Sequence, residues 1–115
     1  MLDKYTSIIG SGSGFCYSIF EMYQNSTENL QLENEVDTHN LIINLFEGSL
    51  ELLKESGQDF GKQKSDVVTP KGTTHAGLEM LEQTNYYFDM ALFNAYGRAK
   101  QMSTELNESI LKSNN

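Results

Sequence analysis

The chain has 115 residues, of which 38% are hydrophobic, and a formal net charge of −8. This length fits a single domain, and the negative charge argues against nucleic acid and anionic membranes as partners, because both repel an acidic protein. No segment approaches the ~20 apolar residues of a membrane span, and residues 1–9 lack the apolar run of a signal peptide. The lone Cys16 cannot form an internal disulfide, which suits a reducing compartment. We therefore expect a cytoplasmic protein.

The first third of the chain predicts one helix behind a flexible entry. Residues 1–9 are short and mixed in character and predict a strand-like or irregular lead-in, and the Gly-Ser run at 10–14 predicts a hinge. Apolar residues spaced by three and four predict a helix over 15–23. The polar residues 25–35 predict its end and a connection.

The middle of the chain predicts a longer helix, over about 38–56. Asp37 or Thr38 is of the type that caps a helix, and Gly57 is well placed to end it. Its apolar residues occupy two faces, which indicates a helix surrounded by others. Gly48 inside it costs roughly 1 kcal/mol relative to Ala, which suggests that another backbone passes close by.

The last part of the chain predicts further helices and a polar tail. Residues 58–66 predict a short helix or turn around Phe60, a turn follows at 69–74, and helices follow to about 83 and from 86 to about 106. The tail at 107–115 is expected to fray unless Leu106 and Ile110 extend the helix by packing. The whole predicts an all-α helical bundle. Because so few helices cannot cover all their apolar faces, we expect a second copy to supply part of the core, as in a homodimer.

One stretch, residues 66–81, combines several local signals. Pro70 fixes its own φ angle, and Gly72 either allows another part of the backbone to come close or adopts a positive φ. Thr73 and Thr74 are capping types ahead of an apolar helical pattern. Free N–H groups at a helix start can bind an anion, although an ordinary capped helix after a turn is the simpler explanation of the spacing alone.

Other residues carry weaker chemical signals. The glycine run at 10–14 imitates a dinucleotide-binding entry but has neither the required third glycine nor a following βαβ pattern. Cys16 is interpreted as a small core residue, and neither His39 nor His75 has metal-ligand spacing, so we expect no metal. A solvated face accounts for the remaining acidic cluster, which comprises Glu33, Glu35 and Asp37.

Three segments together resemble a known family. Residues 12–17, Gly-Ser-Gly-Phe-Cys-Tyr, resemble the Gly-Ser-Gly-Pro-Ala-Tyr that opens the C-terminal domain of pyrroline-5-carboxylate reductases. Residues 67–82 resemble that family's Val-x-Ser-Pro-Gly-Gly-Thr-Thr-x-x-Gly-Leu-x-x-Leu-Glu signature. Residues 48–57 match the family's helix and its spacing to the signature. The resemblance covers about residues 8–106.

The resemblance implies a function that the composition alone does not. Members of the family bind NADP or NAD through an N-terminal Rossmann domain, and their helical domains interlock into a homodimer. They reduce the C=N bond of pyrroline-5-carboxylate and yield proline. On this basis residues 1–9 are a lead-in from a missing nucleotide-binding domain, 10–106 the helical dimerisation and substrate-loop domain, and 107–115 the tail. The chain alone is then expected to bind no cofactor and to be inactive.

The resemblance also implies site residues. The signature loop would hold the substrate carboxylate through the backbone N–H groups of Gly72, Thr73 and Thr74, with Thr69 in the same loop. The hydroxyl of Thr74 would hydrogen-bond the ring nitrogen, which makes Thr74 the catalytic residue. The cofactor-binding residues would lie in the missing domain.

Departures from the family pattern leave alternatives open. Phe15 and Cys16 replace a proline and an alanine, and Phe60 stands where the family often has proline. Lys71 replaces the first glycine of the Gly-Gly pair, where a positive φ is costly for lysine. The alternatives are a non-catalytic helical dimerisation module and a reductase of another cyclic imine.

Overall fold

The computed structural model describes residues 2–113, with side chains from residue 4 onward. These residues form helices connected by turns, and no strand occurs among them, so the all-α prediction is confirmed for this part of the chain. The helices are α1 (Leu2–Tyr5), α2 (Gly12–Glu28), α3 (Thr38–Ser56), α4 (Phe60–Val67), α5 (Thr73–Leu81) and α6 (Asn85–Ser113). A π-helical segment (Thr6–Gly10) follows α1, and a 3₁₀ turn (Glu82–Thr84) precedes α6. None of the described helices is both long and apolar enough to cross a membrane.

The chain divides into two compact units. One comprises residues 2–15 together with 80–113, and the other comprises residues 16–79. In the first unit, α1 and the π-helical segment pack against α6, and Ser7 is 3% exposed there. The expected strand-like or irregular lead-in is therefore wrong for residues 2–9, while Met1 lies outside the described residues. Local propensity is a weak determinant, and packing against a long helix outweighs it.

The Gly-Ser run is helical except for Ser11, which forms a turn, so the prediction of a non-helical hinge over 10–14 is wrong. The π-helical segment ends at Gly10, and α2 begins at Gly12, before the predicted start at Phe15. Adding a residue to an existing helix costs much less than nucleating one. The apolar pattern of α2 therefore carries the helix back through Gly14 despite the glycine penalty.

In the second unit, an aromatic cluster joins α2 to α3. The Phe20 and Phe46 rings lie 4.4 Å apart between centroids, and the Tyr23 ring lies 5.9 Å from that of Phe46, both edge to face. Ile42 of α3 is 3% exposed beside them. Hydrogen bonds also connect the last turns of α2 to the start of α3. Gln24 donates to the Thr38 hydroxyl at 3.1 Å, and that hydroxyl donates to a carboxylate oxygen of Glu28 at 2.8 Å.

The ends of α3 are confirmed as predicted. The Asp37 side chain accepts a hydrogen bond from the Asn40 N–H at 3.1 Å, which caps the helix start. Gly57 takes a left-handed φ of 66° and donates its N–H to the Leu53 carbonyl at 2.9 Å. A short helix around Phe60 is also confirmed, as α4, which Asp59 caps through the Lys62 N–H.

The predicted backbone approach at Gly48 is wrong within this chain. A Cβ placed there would meet no heavy atom within 4 Å. Nothing inside the described residues accounts for a glycine at this position of α3.

The last helix is longer than predicted. It continues through residues 107–113, where a fraying tail was expected, while residues 114–115 lie outside the described part of the chain. Leu106 and Ile110 remain 62% and 50% exposed, so intramolecular packing is not what extends it. Good helix formers such as Glu108, Leu111 and Lys112 account for the continuation.

Very little apolar surface is buried by these helices. Among the described residues Ile42 is the buried hydrophobic side chain, whereas Phe93 and Tyr87 of α6 are 69% and 72% exposed. Solvent-exposed apolar residues on this scale mark an interaction surface. One copy of the chain therefore leaves its helix faces uncovered.

Candidate functional site

The Thr69–Gly72 segment forms a tight turn immediately before α5. The Gly72 N–H donates to the Thr69 carbonyl at 2.8 Å, which closes the turn. Pro70 occupies its second position, where the fixed φ of proline fits. Lys71 occupies the third position with φ 61°, a left-handed conformation that glycine normally supplies in a type II turn.

Gly72 is required by close approach rather than by its φ. A Cβ on Gly72 would lie 2.9 Å from the Thr69 carbonyl oxygen and 3.3 Å from the Thr69 Cβ. Among the described glycines, Gly57 is the one with a positive φ. Of the two roles that the sequence left open for Gly72, the close backbone approach is confirmed.

The start of α5 presents backbone donors next to this turn. The first hydrogen bond of the helix is donated by the Ala76 N–H to the Gly72 carbonyl oxygen, at 3.1 Å. The N–H groups of Thr73, Thr74 and His75 come before it and have no intrahelical acceptor. The Gly72 N–H is already engaged in the turn. Three donors, at 73, 74 and 75, are thus available to an external acceptor.

The hydroxyl groups around the turn are also available. Thr69, Thr73 and Thr74 are all exposed, and none of their side chains hydrogen-bonds to another part of the described chain. Thr73 and Thr74 occupy the first two positions of α5 instead of capping it. The first turn of α5 contains no acidic side chain, so nothing there opposes a negatively charged ligand. The arrangement can hydrogen-bond a carboxylate-sized anion and a neighbouring polar atom.

Two charged pairs lie on either side of the turn. Lys62 of α4 donates to Asp66 and holds the pKa of that carboxyl below its ordinary value of 3.8. On α5, His75 Nε2 lies 3.7 Å from a Glu79 carboxylate oxygen. Lys71, between them, is exposed and forms no ion pair or hydrogen bond within residues 4–113.

The other sequence candidates lie elsewhere. Cys16 is exposed on α2, so its interpretation as a core residue is wrong within this chain. His39 lies on α3 and His75 on α5, and no three potential metal ligands cluster among the described residues. Asp37 is used as a helix cap.

The described residues do not contain the elements of a Rossmann-type nicotinamide dinucleotide site. A Rossmann-type site has a strand that ends in a glycine-rich turn before a helix. Residues 2–113 contain no strand, and the glycines at 10–14 lie within or beside helices.

A groove between α2 and α3 was not anticipated from the sequence. Its volume is about 360 Å³, and apolar and polar side chains share its lining: Tyr17, Phe20, Glu21, Gln24, His39, Ile42 and Ile43. The helical spacing of Tyr17, Phe20 and Gln24 is the signal that could have located it.

Comparison with known proteins identifies a matching family and several relatives. A family model described as pyrroline-5-carboxylate reductase dimerisation matches residues 1–106. Pyrroline-5-carboxylate reductase 2 of Bacillus subtilis (strain 168) is 29% identical over 107 residues, which cover 93% of this chain and 37% of the relative. Pyrroline-5-carboxylate reductase of Staphylococcus epidermidis (strain ATCC 35984) is 32% identical over 110 residues, which cover 93% and 40%. That of Staphylococcus aureus (strain COL) is 32% identical over 104 residues, which cover 89% and 38%.

The chain thus spans about two fifths of the length of these curated relatives. No solved structure gives a significant match. The family model nevertheless covers nearly all of the chain, and the all-helical fold agrees with the resemblance seen in the sequence. The chain belongs to the pyrroline-5-carboxylate reductase dimerisation family.

Proposed function

We propose that this chain is the dimerisation and substrate-loop part of an NAD(P)H-dependent reductase that converts pyrroline-5-carboxylate to proline in the cytoplasm. The observation that carries the proposal is the family match over residues 1–106, within which the Thr69–Gly72 turn and the start of α5 lie. The relatives named above carry the same activity in their names.

The turn and α5 would bind the carboxylate of the substrate. The N–H groups of Thr73 and Thr74 are free of intrahelical partners and sit at the positive end of the helix. Gly72 would contribute by closing the turn through its own N–H and by leaving room for the close approach to Thr69. A carboxylate that accepts backbone N–H bonds at a helix start is a favourable arrangement.

Thr74 would orient the ring of the substrate. Its hydroxyl can donate to or accept from a ring nitrogen, and no acceptor within the described residues competes for it. No nucleophilic side chain is needed for the reduction of a C=N bond. Because the described residues contain no Rossmann-type site, the hydride donor would be held elsewhere in the protein.

The same chain would form a homodimer through its exposed apolar faces. Ile42 is the buried hydrophobic side chain of the described residues, and α6 exposes a run of large apolar side chains: Tyr86, Tyr87, Phe88, Met90, Leu92 and Phe93. An interface that covers such faces would resemble a domain core.

A direct test is an NAD(P)H-oxidation assay of the full-length protein that contains this chain. Pyrroline-5-carboxylate is expected to be turned over, and Thr74→Val is expected to lower kcat/KM at least about tenfold, because it removes the hydroxyl and keeps the shape. Thr69→Val serves as a matched control in the same turn, with a smaller loss expected.

Each alternative predicts a different outcome. Turnover of a six-membered cyclic imine without turnover of pyrroline-5-carboxylate would assign another substrate. A stable dimer that oxidises no cofactor with any cyclic imine would assign a non-catalytic module and would overturn the proposal.

A further inference from the structure

We propose that Lys71 is a substrate-binding residue whose ammonium group adds a full positive charge to the neutral donors that hold the carboxylate. This inference rests on the proposed function. It predicts that Lys71 makes substrate binding depend on the negative charge of the substrate carboxylate. Its basis is the position of Lys71 in the turn, its lack of a partner, and the charge balance of the chain.

The backbone fixes where Lys71 stands. It is the third residue of the turn closed by the Gly72 N–H, and it precedes the free N–H groups of Thr73 and Thr74 by two and three residues. Its φ of 61° belongs to a conformation that favours glycine. A lysine with only a solvating role would be accommodated more easily at any ordinary surface position.

The charge of Lys71 is uncompensated in the described chain. Acidic residues outnumber Lys and Arg by 16 to 8, yet the nearby Asp66 is bonded to Lys62, and the first turn of α5 has no acid. A cation at this end of a helix is unfavourable with respect to the helix dipole. An incoming carboxylate would remove that repulsion and pair with the ammonium group at the same time.

The test separates charge from backbone conformation. Lys71→Gln keeps a long side chain and the same demand for positive φ, and it removes the charge. Lys71→Arg restores the charge with a different shape. Lys54→Gln is the matched control, because Lys54 is an exposed lysine of the same unit at the end of α3.

In the full-length protein, Lys71→Gln is expected to raise KM for pyrroline-5-carboxylate about 5- to 20-fold and to leave kcat within about twofold. Lys71→Arg is expected to recover most of the loss, and Lys54→Gln to change KM by less than about twofold. Added NaCl is expected to raise KM of the unmodified protein more steeply than KM of Lys71→Gln, because salt screens an exposed charge.

Product inhibition supplies a second readout. Lys71→Gln is expected to weaken inhibition by proline and not to weaken inhibition by prolinamide, which keeps the ring amine but lacks the carboxylate. An active enzyme in which Lys71→Gln alters neither KM nor its salt dependence would overturn the role of Lys71 alone. A full-length protein that neither binds proline nor turns over pyrroline-5-carboxylate would overturn the proposed function, and this role with it.

Discussion

Gly72 donates its N–H to the Thr69 carbonyl at 2.8 Å, and a Cβ on Gly72 would lie 2.9 Å from that same oxygen. The hydrogen bond that closes the turn and the clash that would open it therefore involve a single atom. If Gly72 lay further from the Thr69 carbonyl oxygen, a side chain would fit at position 72, but the hydrogen bond would be lost. The turn before α5 can close in this form only with glycine at position 72.

Gly72→Ala is accordingly expected to destabilise the protein by about 1–3 kcal/mol, because either the Thr69 backbone shifts or the turn opens. Urea denaturation at a fixed protein concentration measures the change in the free energy of unfolding. Gly77→Ala is the control within α5, since a Cβ there meets no heavy atom within 4 Å. It is expected to stabilise the helix by up to about 1 kcal/mol. Equal effects of the two substitutions would show that the contact with Thr69 is unimportant.

Lys71→Gly is expected to stabilise the protein by about 1 kcal/mol, because it relieves the cost of a left-handed φ in a residue with a side chain. The greater flexibility of glycine in the unfolded chain keeps this gain below the full cost of the left-handed conformation. Thermal unfolding of the two proteins at one concentration measures it. Lys71→Ala, which keeps a Cβ, is the control and should gain nothing comparable. A lower melting temperature for Lys71→Gly would contradict the interpretation of this turn.

The features that were correctly predicted are local ones. Asp37 and Gly57 delimit α3 through contacts within four residues of themselves, so their residue types suffice to locate the helix ends. The turn at Pro70 likewise follows from its own residues. At the candidate site, the residue types predicted the turn and the resemblance implied its role, but the use of the Gly72 N–H inside the turn depends on an atomic distance that no residue pattern encodes.

The features that were missed depend on packing between distant segments. Residues 2–10 are helical in contact with α6, far along the chain, and their own composition gives no sign of it. The early start of α2 at Gly12 depends on propagation of the helix from the residues that follow. Gly48 was expected to mark a close contact, and the open space around it shows that a glycine inside a helix does not by itself locate a neighbour.

The Lys62–Asp66 pair on α4 should make stability depend on pH. The hydrogen bond from Lys62, aided by the positive charge of the ammonium group, lowers the pKa of Asp66 in the folded protein below the ordinary 3.8. The stabilisation is therefore present above pH 3.8 and is lost as the pH falls through the lower, folded-state pKa. Lys62→Gln is expected to return the pKa of Asp66 towards its ordinary value.

An NMR titration of the Asp66 side-chain carbonyl carbon measures this pKa directly. Lys54→Gln, which removes a lysine from α3, should leave the titration unchanged. An unaltered midpoint in Lys62→Gln would show that the pair does not form in solution, since both side chains are substantially exposed, at 59% and 43%.

The apolar segment of α6 should be the part of the chain on which dimerisation depends most. Phe93 is 69% exposed in a single copy, and an aspartate in its place would have to be desolvated in an apolar interface at a cost of several kcal/mol. Light scattering at micromolar concentration is expected to show a dimer for the unmodified protein and a monomer for Phe93→Asp. Circular dichroism is used to check that the variant remains helical, and Tyr87→Asp provides a second variant on the same segment.

Leu111→Asp is the matched control, because Leu111 is 65% exposed on the same helix but lies beyond the residues that the family model matches. A dimer that survives Phe93→Asp and Tyr87→Asp would place the interface on another face. If Leu111→Asp also dissociated the dimer, the interface would extend past residue 106, because the introduced charge would then lie within it.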